Sequence, residues 1–446
     1  MAKQIPVYVC SKCDAQSPKW SGRCSVCDAW GSISKDPVIP GPEEPAAKSA
    51  PGDIKTFAGL DQTQQALHEP TGFDLMDLIL GGGLVKGSVV LLAGEPGMGK
   101  STLLSQLALL MSRQKKILYI TGEESPYQVQ LRLSRLNLGL TENLFFLNDT
   151  RAEVIISTLE KETPQLTIID SIQSISTDNV PGEAGSLSQV KAGAALLTQA
   201  AKKFNTTLVM VGQVTKDGDI AGPRALEHLV DTVLSLEGER MHRFRILRAI
   251  KNRFGSTDQT VLLDMDDKGL RIVSDPSEAL LEGRAANTCG SAIGCLLEGR
   301  RPLLVELQAL VTSAGYSSPV RRATGLDSSR LNMLLAVLTR HAGVMVYDKD
   351  VFANAAGGLE VKDPAADLAL AAAIASAVNK KPLEPKTAYF GEVGLTGELR
   401  PVALPDLRIK EFKRMGFTKV ICPKIKNIKA QDIQVIQCET IKQALN

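Results

Sequence analysis

The chain carries almost no net charge: 51 Lys and Arg stand against 49 Asp and Glu, a formal +2. That balance excludes a grossly basic protein, so contact with nucleic acid must come from local basic clusters rather than from an overall field. The start, Met1-Ala2-Lys3-Gln4, lacks the apolar core of a secretory signal. Long hydrophobic runs are also missing: the longest, Ala365 to Val378, is interrupted by Asp367 and too short to span a bilayer. These absences predict a cytoplasmic protein with no membrane partner. The eight cysteines lack the spread of a disulfide framework, with four crowded near the N-terminus and Cys289, Cys295, Cys422 and Cys438 scattered. Such usage predicts a metal site plus core thiols in a reducing compartment, without structural disulfides.

What is present is ordinary globular material, 44% hydrophobic and 22% charged over 446 residues, enough for two or three domains. Cys10-x2-Cys13 and Cys24-x2-Cys27 form two knuckles around a short polar loop with Trp20 and Gly22. Four thiolates so spaced suit tetrahedral zinc, with a rubredoxin-like iron site and a redox dithiol as competitors. The segment is too short to bury a core, so metal binding has to supply its folding energy. From Lys35 the chain turns rich in Pro, Ala and acids, including Pro37, Pro40, Pro42 and Pro45, and reads as an extended linker over 35–57.

Beyond it, short apolar runs at Val89 to Ala93, Ile117 to Thr121, Leu166 to Asp170 and Leu208 to Gly212 alternate with helical patterns. Runs apolar on both faces predict an α/β domain with a largely parallel sheet. Between the first run and a helix over Lys100 to Met111 lies Gly94-Glu95-Pro96-Gly97-Met98-Gly99-Lys100-Ser101, which matches the phosphate-loop pattern G-x-x-x-x-G-K-[ST] at every fixed position. The loop from Gly94 to Thr102 would cradle ATP phosphates with its available backbone amides, Lys100 would reach the outer ones, and the Ser101 hydroxyl would ligate Mg2+. Ser125-Pro126 predicts a capped helix carrying Leu131 and Leu136 toward the core.

Asp170 ends an apolar strand, where the second nucleotide motif presents a carboxylate to magnesium. Glu123 and Glu124 follow another strand end and can polarise a water for in-line attack. Glu123 is the preferred base and Glu124 the alternative, against two solvated acids at a helix start. Gln213 ends the next run and is placed to sense the γ-phosphate, passing its state to the loop Val214 to Arg224. Lys251-Asn252-Arg253-Phe254-Gly255 closes a strand pattern with Phe244, Ile246 and Ile250 in a meander from Arg243 to Val261. Two residues apart, Lys251 and Arg253 project the same way, outward, toward an adjacent subunit's γ-phosphate, a DNA phosphate, or solvent at a hairpin tip.

Together with Gly391-Glu392-Val393-Gly394-Leu395-Thr396-Gly397-Glu398-Leu399-Arg400, these knuckles, loop and basic motif resemble the RadA (Sms) family of bacterial recombination and repair ATPases over essentially the whole chain. The resemblance implies a zinc finger over 1–34, a RecA-like P-loop core over 58–275 and, from the boundary at Asp275-Pro276, a Lon-protease-like α/β domain over 276–446. It implies a homohexameric ring around single-stranded or branched DNA, driven by ATP to promote branch migration after DNA damage, with a recombinase partner. Lys100 and Ser101 then hold nucleotide, Asp170 magnesium and Glu123 the water. Lys251 and Arg253 act across the subunit boundary or on DNA, and the loops Ser176 to Ser186 and Val214 to Arg224 face DNA. Two departures are visible. Gln213 stands where relatives usually show His, and Val361-Lys362-Asp363-Pro364-Ala365-Ala366-Asp367 holds no serine where Lon-like peptidases place their nucleophile. Without that hydroxyl a serine-lysine mechanism cannot operate. The domain then reads as a scaffold for ring assembly with a basic surface from Arg300, Arg301, Arg321, Arg322 and Arg330, against an ATP-dependent protease or a protein-interaction switch.

Overall fold

The structure, a computed structural model, describes residues 8–13, 15–17, 19–34, 68–213, 223–238, 244–285, 287–315, 319–426 and 432–446. The linker expected over 35–57 and residues 214–222 of the second expected DNA loop lie outside the described residues.

The N-terminal unit is a small ribbon in which Tyr8–Val9 pairs antiparallel with Gln16–Ser17. Its buried apolar content is little more than Cys10, Cys24 and Ile33, packed by Tyr8 and Ala15. A cluster of that size cannot offset the chain entropy of ordering the ribbon, so covalent-strength cross-linking is required.

In the second unit the apolar runs become the strands β1 (Val89–Gly94), β2 (Ile117–Thr121), β3 (Leu144–Leu147), β4 (Leu166–Asp170), β5 (Thr207–Gln213) and β6 (Thr232–Gly238). An antiparallel meander follows, β7 (Phe244–Asn252), β8 (Thr260–Asp266) and β9 (Gly269–Ile272). The nine-stranded order is β9-β8-β7-β6-β1-β5-β4-β2-β3, parallel from β6 to β3. Alternation along β1 explains its unbroken hydrophobicity: Val90 and Leu92 enter one core with Leu103, Leu104 and Leu107 of α1 (Lys100–Met111), whereas Val89 and Leu91 enter another on the opposite face. That second core is closed by Ile155 and Leu159 of α3 (Ala152–Glu162) and by Val190, Ala194 and Leu197 of α4 (Leu187–Phe204). A strand buried on both faces has no polar side to show.

Helix α2 (Pro126–Arg135) begins as expected, with a full capping box between Ser125 and Gln128. Its buried face differs from the expectation. Val129, Leu133 and the C-cap Leu136 are buried, but Leu131 is 46% exposed, because it stands two residues from Val129, about 200° around the helix.

The C-terminal part has a sheet ordered β10-β11-β13-β12, with β10 (Ser291–Glu298), β11 (Arg301–Ser313), β12 (Arg321–Thr324) and β13 (Lys349–Ala355). Helices α5 (Ser328–Val337) and α6 (Asp367–Asn379) cover it, α6 burying the alanine-rich run. A parallel three-stranded sheet, β14 (Thr387–Tyr389), β15 (Lys419–Pro423) and β16 (Gln434–Cys438), packs with α7 (Pro405–Arg414) around Phe390 and Phe412. Among the described residues no helix is long and apolar enough to cross a membrane.

Candidate nucleotide site and metal ribbon

In a parallel sheet the carboxyl ends of the strands open onto one crevice, and four of the sequence motifs meet there. Gly94 at the end of β1 pairs in register with Gln213 at the end of β5, and Thr121 at the end of β2 pairs with Asp170 at the end of β4. Helix α1 starts at Lys100, after Gly99 with φ +99°, a conformation that favours glycine. A Cβ on Gly94 would lie 2.5 Å from the Leu236 carbonyl oxygen of β6, so glycine lets the loop leave the sheet. Met98 is buried and anchors the loop, while Ser101 and Thr102 stay half-buried on the first helical turn.

Lys100 is 6% exposed and its Nζ donates to the carbonyls of Gly94 and Glu95, 2.7 Å each. Burial pulls its pKa down, and the carboxylates of Asp170, Glu123 and Glu95 pull the other way. Phosphate oxygens would replace both carbonyls as acceptors and restore the charge compensation. The two neighbouring acids behave differently. Glu123 accepts from the Ser171 hydroxyl at 2.7 Å, next to Asp170, whereas Glu124 is ion-paired with Arg132 of α2. Asp170 Oδ2 accepts from the Tyr119 hydroxyl at 3.0 Å, and Tyr119, 1% exposed, has its pKa raised well above the usual value by burial and then by Asp170.

Tyr119, Arg132 and Ser171 are absent from the motif reading. One signal was available: Tyr119 is the only residue of the run Ile117–Ile120 with a polar tip, and a buried phenol needs a partner.

Lys251 and Arg253 do not join this crevice. Asn252 of β7 pairs with Thr232 of β6, and Thr232 pairs with Val90 near the start of β1. The motif therefore lies at the opposite end of the sheet, four residues or about 13 Å of strand from the level of Gly94. The register of β7 against β6 slips at Ile250, which is 50% exposed. Both cations do project to one side, but against the chain's own turn rather than freely outward. Lys251 Nζ donates to the carbonyls of Glu227 and Val230 at 2.6 and 2.8 Å, and Arg253 pairs with Asp231 at 3.1 Å. Asp231 in turn accepts from the amide of Val89. Arg253 remains half exposed at 52%, its guanidinium held by Asp231 through one nitrogen with surface left to present.

Val361 to Pro364, Ala366, Asp367 and Arg330 line part of a 1310 Å³ cavity that also touches Glu95 of the phosphate loop. At the place where Lon-like peptidases carry their nucleophile stand two ion pairs. Arg408, 1% exposed, meets Asp363 at 2.7 Å and donates to the Cys295 and Ala403 carbonyls; Arg330 forms a two-pronged pair with buried Asp367. Arg330 is thus committed internally and is not a free surface cation, while Arg321 and Arg322 are exposed. Replacing Asp363 with Ala strands a buried guanidinium and should destabilise this domain by about 3–5 kcal/mol. Calorimetry of the full chain should show its transition lowered, and Asp363→Leu with Arg408→Met should recover most of the loss. An unchanged transition in Asp363→Ala would mean that water reaches Arg408.

In the ribbon, the sulfurs of Cys10, Cys13, Cys24 and Cys27 lie within 4.8 Å of one another, with Cys10 to Cys27 at 3.7 Å and Cys13 to Cys24 at 3.5 Å. A tetrahedron with metal–sulfur bonds of about 2.3 Å has edges of about 3.8 Å, so the four thiols fit one tetrahedral ion.

Family models agree with this layout. Residues 8–35 match a rubredoxin metal-binding domain, 69–219 an AAA domain, and 340–446 the C-terminal proteolytic domain of the Lon (S16) protease. The chain is 43% identical to the DNA repair protein RadA of Aquifex aeolicus and 43% identical to that of Pseudomonas aeruginosa. It is 40% identical to that of Bacillus subtilis, in each case over 100% of this chain and 99% of the relative.

Proposed function

The chain belongs to the RadA family of DNA repair proteins, and from that premise we propose that it is a cytoplasmic, DNA-dependent ATPase that translocates on single-stranded DNA as a homohexameric ring. Its work is branch migration of recombination intermediates, beside a recombinase, in the response to DNA damage. The observation that carries this reading is the meeting of Lys100, Glu123, Asp170 and Gln213 at one end of the sheet while Lys251 and Arg253 stand at the other.

The backbone N–H groups of the loop Gly94 to Thr102, Pro96 having none, and the Lys100 ammonium hold the ATP phosphates, and the dipole of α1 adds to them. Ser101 and Asp170 supply the hard oxygen donors that Mg2+ takes, and when bound the ion neutralises charge on the β- and γ-phosphates. Glu123 accepts the proton of the attacking water. Glu124 is the poorer base because its carboxylate is already committed to Arg132. Gln213, one strand from the loop, donates to the γ-phosphate and hands its presence on to residues 214–224. The four cysteines hold zinc, whose role is to fold the ribbon. The C-terminal domain, taken to begin at 276, is a scaffold without peptidase activity, since Val361 to Asp367 offers no hydroxyl.

ATP hydrolysis by the full chain, with and without single-stranded DNA, tests the central claim. Several-fold stimulation together with branch migration of a three-strand intermediate is expected; hydrolysis indifferent to DNA would replace it with a protein-interaction switch.

The position of Arg253 gives a second test. It cannot reach its own loop, so as a cation acting on a neighbour's γ-phosphate it should cost hydrolysis about 10³-fold in Arg253→Ala with little change in nucleotide affinity. Mixing that variant with Lys100→Ala should restore activity at shared interfaces. An inactive mixture despite proven co-assembly argues against the trans role. Loss of single-stranded DNA affinity with a shallower salt dependence would make Arg253 a DNA phosphate contact instead.

A further inference from the structure

Arg132 makes contacts that a surface helix residue does not need. Its side chain is 18% exposed, and each guanidinium nitrogen has a different partner. Nε donates to Ser105 Oγ at 3.1 Å, and Ser105 donates to the carbonyl of Ser101 at 2.7 Å, one turn back on α1. Nη1 pairs with Glu124. Nη2 donates to the Tyr119 hydroxyl at 2.8 Å and lies 3.9 Å from Asp170 Oδ2, which that hydroxyl also contacts. One planar group therefore ties together the helix that carries Ser101, the strand end that carries Asp170, and one of two adjacent acids.

We propose that Arg132 and Tyr119 are positioning residues of the nucleotide site: they hold Asp170 with one oxygen occupied and the other turned to Mg2+, and they keep Glu124 away from the reacting water so that Glu123 alone serves as base. The proposal rests on the ATPase reading above. Its logic is electrostatic. Three carboxylates, Asp170, Glu123 and Glu124, crowd one crevice, and like charges in such a place compete for the same cation. Arg132 neutralises one of them and, through the Tyr119 hydroxyl, orients another: the phenol oxygen accepts from Nη2 and its hydrogen is donated to Asp170 Oδ2, so a single chain of hydrogen bonds fixes that oxygen. Arg is suited to this by its rigid fork of donors, which lysine lacks.

Tyr119→Phe removes one oxygen from a buried ring and keeps the packing. In the full chain, Mn2+ titrated in the presence of a non-hydrolysable ATP analogue and followed by electron paramagnetic resonance should bind about tenfold more weakly. Analogue binding without metal, followed by a fluorescent label, should stay within about twofold. Arg132→Met should lower the maximal ATPase rate by about 10–100-fold with a small change in KM, as expected when a residue acts on the transition state rather than on binding. Adding Glu124→Gln to Arg132→Met should return most of that rate, since the harm comes from a freed carboxylate. Unchanged Mn2+ affinity in Tyr119→Phe, or an Arg132→Met/Glu124→Gln chain no faster than Arg132→Met, would overturn the positioning role alone. A parent chain without ATPase activity, or one whose activity survives Lys100→Ala, would overturn the ATPase reading and this role with it.

Discussion

Lys100→Ala is expected to lower ATP turnover by on the order of 10³-fold, because the lost ammonium is the cation that meets charge developing on the transferring phosphoryl group. The fold should be spared. Lys100 is the first residue of α1, a position that alanine fills well, and its hydrogen bonds among the described residues go to two loop carbonyls that water can reach once the side chain is gone. Removing a buried ammonium also removes a desolvation cost, so the melting temperature should change by only a few degrees in either direction. Phosphate release measured with saturating ATP and single-stranded DNA, beside a thermal melt, separates the two effects. Turnover at the parent rate would show that nucleotide is handled elsewhere on the chain.

Cys24→Ser with Cys27→Ser should release the metal and unfold residues 8–34 while leaving ATP hydrolysis by the second unit intact. Apparent free energies of about 10–16 kcal/mol attend zinc binding in comparable small sites, far more than Cys10, Cys24 and Ile33 can supply by burial. The measurement is unusually clean, since the chain's two tryptophans, Trp20 and Trp30, both sit in the ribbon. Trp30 is held against Arg23, whose guanidinium carbon lies 5.9 Å from the ring centroid. Fluorescence anisotropy therefore reports on this unit alone and should fall in the double variant and on chelation. Elemental analysis of the parent chain should give one zinc per chain. Iron in its place, or anisotropy indifferent to chelation, would reject the assignment.

Both experiments lean on features legible in the sequence, and the reasons are physical. A phosphate loop is a local device: its glycines, its lysine and the strand and helix around it are consecutive, so pattern and geometry coincide. The same holds for Cys10 to Cys27 and for strands whose every residue must be apolar because both faces are covered. What stayed hidden depends on contacts between distant segments. Nothing local to Arg132 announces that it bridges Ser105, Glu124 and Tyr119, and nothing local to Arg330 announces Asp367. The fate of Lys251 and Arg253 depends on which way β7 runs, and a motif does not carry strand direction. Leu131 shows a smaller difference: apolarity alone does not say which side of an otherwise well-marked helix a residue takes.

The placement of phosphate loop and basic motif at opposite ends of one sheet also sets an accounting rule for assembly. A contact that joins one copy's front to the next copy's back is heterologous, so copies add in a line until the line closes on itself. If Arg253 completes its neighbour's site, an open arc of n copies contains n − 1 working sites and a closed ring contains n. Activity per subunit then climbs as arcs lengthen, steps up at closure, and stays flat with any further rise in concentration. Dilution would reverse that climb, and a single Arg253→Ala subunit in a ring would silence one neighbour while keeping its own phosphate loop in service.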